Sequence, residues 1–201
     1  MSSHHFVRDE QEPALLILTS VEFSLAGSLL EWAPTVMVTQ EALEDVLSWG
    51  IKVDVVMADL KGEDVLKEKL LSQAPVKILT SETDAFFETA LFFLLASKQK
   101  AVTILSSDVE SVIGKATPFM DKISINILSP EDRYKWSGIS AGFYKKWLPA
   151  GSRLKLYGVE PSLLVTNLQK DGNETEVTQD GLIELRYPAP FWVGESQQNK
   201  I

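Results

Sequence analysis

The chain has 201 residues, 45% of them hydrophobic, and a formal net charge of −9. That is enough apolar sequence for one large domain or two small ones, and the acidic balance argues against a nucleic-acid or anionic-membrane partner. With no cysteine, disulfides, thiolate nucleophiles and cysteine-rich zinc sites are excluded.

The start, Met1 to Pro13, is polar and holds the only histidines, His4 and His5. It reads as a solvated arm, so any general base elsewhere is a carboxylate, Lys or Tyr. No apolar block has signal-peptide or bilayer-spanning character. The longest, Ala85 to Ala96, is interrupted by Glu88. A soluble cytoplasmic protein is expected.

From Ala14 to Leu128 strand and helix alternate. Strands are predicted over Ala14 to Thr19, Thr35 to Val38, Lys52 to Asp59, Val76 to Leu79, Ala101 to Leu105 and Ile123 to Leu128. Helices are predicted over Ser24 to Trp32, Gln40 to Trp49, Glu63 to Ser72, Ala85 to Ser97 and Asp108 to Met120. Gly50 stands where a helix end favours glycine. Ser81 to Asp84 has the form of a capping box. Asp54 apart, the run Val53 to Ala58 is apolar without alternation, as in a parallel strand covered on both faces, and it ends on Asp59. Ligands of open α/β sheets sit outside such strand ends, so Asp59 is a candidate functional residue.

After Ser129-Pro130 the texture changes to short strand-like runs. They are Arg133 to Ile139, Phe143 to Leu148, Arg153 to Tyr157, Leu163 to Gln169, Glu174 to Gln179 and Leu182 to Tyr187, punctuated by Gly, Pro, Asn and Asp. The expected architecture is α/β: a parallel three-layer α/β/α domain over residues 1–130, then an antiparallel β-sandwich over 131–201. The last seven residues or so read as frayed.

Several stretches carry a family resemblance. They are Leu29 to Pro34, Trp49-Gly50-Ile51-Lys52-Val53-Asp54, Ala58-Asp59-Leu60, Gly172-Asn173-Glu174 and Asp180 to Leu185. In these, and in the order of its elements, the chain resembles the thiamin pyrophosphokinases. The resemblance implies pyrophosphoryl transfer from ATP to thiamin with magnesium, on a homodimer whose sandwich lies at the interface. It implies Asp59 and Asp84 as catalytic and metal-binding residues, with Glu41 as a further metal ligand. It also implies Asn173 and Trp136 as contacts to thiamin or a thiamin-like or nucleotide ligand.

Three departures stand against catalysis. The family's "D-G-x-A" reads Thr39-Gln40-Glu41-Ala42 here, and its "G-D-x-D-S" reads Ala58-Asp59-Leu60-Lys61-Gly62. Lys61 therefore stands where a metal-binding aspartate is expected. The family's "R-x-D-H" loop is replaced by Ser106 to Ser111, which brings in Asp108 and Glu110. Two readings follow: a scaffold with lost or much reduced catalysis, or an active divergent enzyme with rearranged magnesium ligands. For single residues there are structural alternatives. Asp59 suits a strand-end turn, and Asp84, Asp108 and Glu110 suit first helical turns. Trp136, Trp147 and Trp192 suit either a cation-holding face or core and interface packing.

Overall fold

The computed structural model describes residues 12–61, 63–140, 142–159, 168–171 and 174–197. Six strands pair in parallel: β1 (Ala14–Ile17), β2 (Val36–Thr39), β3 (Val55–Ala58), β4 (Lys77–Thr80), β5 (Ala101–Leu105) and β6 (Ser124–Leu128). Their order across the sheet is β6-β5-β1-β2-β3-β4. Strands β1, β2 and β3 are buried along their whole length.

The cause is cover on both faces. Helices α1 (Phe23–Leu30), α2 (Leu43–Ser48) and α3 (Glu63–Lys69) lie on one side, α4 (Phe86–Ala96) and α5 (Val109–Ala116) on the other. Side chains alternate across a strand. Leu15, Ile17, Val36, Val38 and Val56 accordingly pack with Ala26, Leu43, Val46 and Leu66. Ala14, Leu16, Met37, Val55 and Met57 pack with Phe87, Leu91, Leu94 and Ile113. Each fully buried Leu, Ile or Phe contributes about 1.5–3 kcal/mol, so these two faces hold the chain compact.

Local details differ from expectation in physical ways. Helix α2 starts at Leu43 because Gln40 to Ala42 form a turn, with Ala42 N–H donating to Thr39 O. Gly50 follows that helix with φ 69°, the left-handed conformation its position requires. The capping box at Ser81 does not form. The Ser81 hydroxyl donates to the Glu82 carbonyl, and Thr83–Ala85 is a 3-10 turn before α4.

The main sheet does not stop at residue 130. Strand β7 (Tyr134–Ile139) folds back antiparallel on β6, pairing Asn126 with Ser137 and Ile127 with Trp136. Beyond it come β13 (Phe191–Ser196), β9 (Arg153–Tyr157), β11 (Glu174–Val177) and β10 (Leu168–Asp171), all antiparallel. Eleven strands thus form one mixed sheet. Strands β8 (Gly142–Leu148) and β12 (Gly181–Tyr187) make a separate two-stranded ribbon. Its Tyr144, Leu148, Ile183 and Leu185 pack with Leu154, Val177, Phe191 and Val193 of the large sheet. Of the strand expected over Leu163 to Gln169, residues before 168 lie outside the described set.

Strand β13 is a correction: no strand was expected over Phe191–Ser196, and of the end expected to fray Glu195 and Ser196 are strand while residues 198–201 lie outside the described set. It lies between β7 and β9 and ties the two halves together. Trp192 packs in the core of α4 and α5 and donates its indole N–H to Thr117 Oγ1 at 3.0 Å. Gly194 lies opposite Trp136, and a Cβ there would stand 3.1 Å from that indole. Only glycine lets the ring lie flat on the strand. Among the described residues, no helix is long and apolar enough to cross a membrane.

Candidate functional site at the strand ends

From β1 the chain builds outward through β2, β3 and β4, then returns past β1 to place β5 and β6 on its other side. The strand order reverses between β1 and β5. Connections leaving two such neighbours diverge and open a crevice at their carboxyl ends. A cleft of about 170 Å³ lies there, lined on its polar side by Thr19, Thr39, Glu41, Asp84, Ser106, Asp108, Ser111 and Lys115. It is small beside the roughly 300–1,000 Å³ of typical ligand pockets. Phe86 and Phe87 form part of its apolar wall.

Much of that polar lining is engaged within the protein. Thr19 Oγ1 accepts from Ser107 N–H at 2.9 Å, and the Thr39 hydroxyl donates to Leu18 O at 2.8 Å. Ser106 Oγ accepts from Asp108 N–H at 3.1 Å. Asp108 caps α5, with Oδ1 accepting from Ser111 N–H at 3.0 Å. Asp108 therefore precedes, as the N-cap, the first turn in which it was expected, and Glu110 is an exposed member of that turn. Lys115 Nζ donates to the Asp84 carbonyl at 3.4 Å.

The candidate metal ligands separate into two places. Glu41 and Asp84 line the cleft together. Asp59, at the end of β3, is not part of that lining. Its Oδ2 accepts from Gln40 Nε2 at 3.2 Å and its Oδ1 from Lys61 N–H at 2.9 Å. Its own N–H donates to Gln40 Oε1 at 2.9 Å. Among the described residues no three carboxylates or histidines stand close enough to hold a metal ion. Magnesium needs several oxygen ligands in near-ideal octahedral array. Asp59, Asp84 and Glu41 as placed here do not fit it.

Trp136 belongs to the core: it is buried, and its indole N–H donates to Asp132 Oδ2 at 2.8 Å. The face expected to meet a thiamin-like cation is covered. Trp192 is buried as well, whereas Trp147 is exposed. Asn173 lies outside the described residues. Lys115 and the hydroxyls of Thr19, Thr39 and Ser106 escaped the sequence reading. Their signal was available in the position of each at or just past the end of an apolar run, apart from Lys115, which only the packing of α5 reveals.

By sequence, no protein-family model and no curated protein matches this chain. Its class is a mixed α/β fold in which a parallel sheet, covered by helices, continues into an antiparallel region. Solved structures of that class are similar over nearly the whole length. Thiamine pyrophosphokinase from Bacillus subtilis superimposes with TM-score 0.65 at 10% identity, over 92% of this chain and 99% of that one. Thiamin pyrophosphokinase from Candida albicans gives 0.62 at 9% identity, over 92% and 90%. The Geobacillus thermodenitrificans protein gives 0.57 at 14%, over 93% and 99%. The chain has the thiamin pyrophosphokinase fold.

Proposed function

We propose that this chain is a divergent member of the thiamin pyrophosphokinase family in which ATP-dependent pyrophosphoryl transfer to thiamin is lost or much reduced. What remains is a cytoplasmic scaffold, dimeric or able to bind a small thiamin-like or nucleotide ligand. One observation carries the reading. The strand-end cleft gathers Glu41, Asp84 and Asp108 around a single Lys115, while Asp59 is bonded to Gln40 and Lys61 away from it. Phosphoryl transfer depends on positioning and on neutralising phosphate charge. A net negative cleft opposes both, and losing one transition-state contact alone costs about 3 kcal/mol, a hundredfold or more in rate. Magnesium and ATP are cofactors only in the active alternative. The test is product formation from magnesium-ATP and thiamin, with calorimetric titration of each separately. The expected outcome is no thiamin diphosphate above the blank. Turnover of about one per second, within the ordinary enzyme range, and abolished by Asp59→Asn, overturns the proposal.

The dimeric part of the reading rests on the outer face of the ribbon. Phe143 and Trp147 are each 58% exposed and Leu182 50% exposed, all on the side opposite the buried Tyr144 and Ile183. Between them lies the Lys145–Glu184 ion pair at 2.6 Å. The register sets Phe143 beside Arg186, Lys145 beside Glu184 and Trp147 beside Leu182. A two-fold axis along the ribbon lays β8 of one copy on β12 of a second and repeats those favourable pairings between copies. Light scattering of the wild type and of Phe143→Ser/Trp147→Ser checks this. The wild type is expected as a dimer and the variant as a monomer. A wild type that is monomeric at micromolar concentration removes the dimer.

A further inference from the structure

Polar side chains and one backbone bond at the carboxyl edge form a continuous lacing. Ser107 N–H bonds to the Thr19 hydroxyl, joining the loops after β5 and β1. The Thr39 hydroxyl bonds to Leu18 O, joining the ends of β2 and β1. Gln40 and Asp59 bond reciprocally, side-chain oxygen to backbone N–H and side-chain nitrogen to carboxylate, joining β2 to β3. Ser81 N–H then bonds to Ala58 O, joining β4 to β3. Five neighbouring strand ends are therefore tied, each to the next, by the protein's own groups.

Within this lacing the Gln40–Asp59 pair bears the most charge. Asp59 accepts the Gln40 amide and the Lys61 backbone N–H on different oxygens, and hydrogen bonds to an ionised group are the stronger kind. A dication bound by Asp59 would meet a chain that has Lys61, not a carboxylate, two residues on. We infer that Asp59 is a structural latch, positioned by Gln40, that braces the strand-end crevice independently of any divalent cation. The inference deepens the proposed loss of catalysis and rests on that reading only in treating the edge as metal-free.

The experiment uses the full chain with neither nucleotide nor thiamin, so a failed latch and a recovered turnover are separate results. Wild type, Gln40→Ala, Asp59→Ala and the double variant are melted in EDTA and again in excess magnesium or manganese. Each single variant is expected to melt roughly 3–8 °C lower, the size set by lost charge-assisted hydrogen bonds in a chain of this length. The double variant should fall no further than the worse single one, because the two side chains act as one unit. None of the four values should move with the cation, and free-manganese paramagnetic resonance should be unaltered by the protein. Additive losses in the two singles overturn the latch. So does a wild-type melting temperature raised by manganese in a way that Asp59→Ala abolishes. Should Asp59→Ala not fold, Gln40→Ala decides alone. A latch predicts a cation-independent drop; a metal site predicts an almost unchanged value that rises with manganese.

Discussion

Strands β1, β2 and β3 carry no charged side chain and are buried from end to end, whereas β9 and β12 set buried apolar residues beside exposed Arg153 and Arg186 and partly buried Lys155 and Glu184. The difference follows from cover. The parallel half has a helical layer on each face, so the side chains of its inner strands meet protein on both sides, while the edge strand β4 stays partly exposed. The antiparallel half has the ribbon on one face, while on the other Tyr134, Trp136 and Trp192 reach the core of α4 and α5 and charged side chains form surface ion pairs. Arg133 and Arg153 both reach Glu174, at 2.6 and 3.4 Å. Such exposed pairs contribute little each. The halves therefore draw stability from different sources, and β13 is where they are joined.

The sharpest way to break that comparison is Trp192→Ala. The side chain is 1% exposed, sits on β13, and reaches the core of α4 and α5 on the parallel side. Removing it leaves a large cavity and takes one partner from the Thr117 hydroxyl, which keeps its bond to the Ile113 carbonyl, at an expected cost of about 3–5 kcal/mol. Urea unfolding followed by two probes reads the result. One cooperative transition, moved to lower denaturant, means the halves unfold as a unit. Two separated transitions mean that the antiparallel half has its own stability and that residue 130 is an energetic boundary.

A smaller effect stays within the parallel half. Asp108→Ala removes the cap of α5, whose first-turn N–H at Ser111 then loses its acceptor. The expected loss is about 1 kcal/mol. It should appear in global stability while leaving the ribbon's surroundings, probed by fluorescence of exposed Trp147, unchanged. A shift in that fluorescence would mean the strand-end loops and the ribbon communicate.

What the sequence made legible tracks the same division. The parallel strands were readable as apolar runs because double cover abolishes alternation, and their order with the helices implied the fold. Strand β13 was missed for a related reason. Phe191 faces the ribbon core and Trp192 the helical core, so the segment shows neither alternation nor length, and Pro188 and Pro190 before it suggest a loop. Asp59 was correctly placed at a strand end. Its partner Gln40 is 19 positions away, and only the pairing of Thr39 with Met57 brings the two together. The metal-ligand pattern implied by resemblance could not reveal that an amide had taken the carboxylate's attention. The burial of Trp136 depends on Gly194, which lies on the strand that was not foreseen.

The smallest effect concerns the charged antiparallel surface and its response to acid. The Lys145 ammonium, by hydrogen bond and charge, holds the Glu184 carboxyl below its usual acidity range. Glu174 is lowered too, first by the Tyr134 hydroxyl and then by Arg133. A carboxylate whose folded-state pKa is depressed stabilises the fold fully above its unfolded value, about 4.3 for Glu. That contribution is lost as pH falls through the folded value, where the native state finally takes up the proton. The acid arm of the stability profile should therefore steepen below about pH 4.3. Glu184→Gln should remove a part of that slope while costing little at neutral pH, because the pair is partly exposed and screened. High salt should shrink the difference further. Melting curves of wild type and Glu184→Gln across the acid range provide the check. If they run parallel, the Lys145–Glu184 pair adds nothing to folding and its place on the ribbon is one of surface recognition alone.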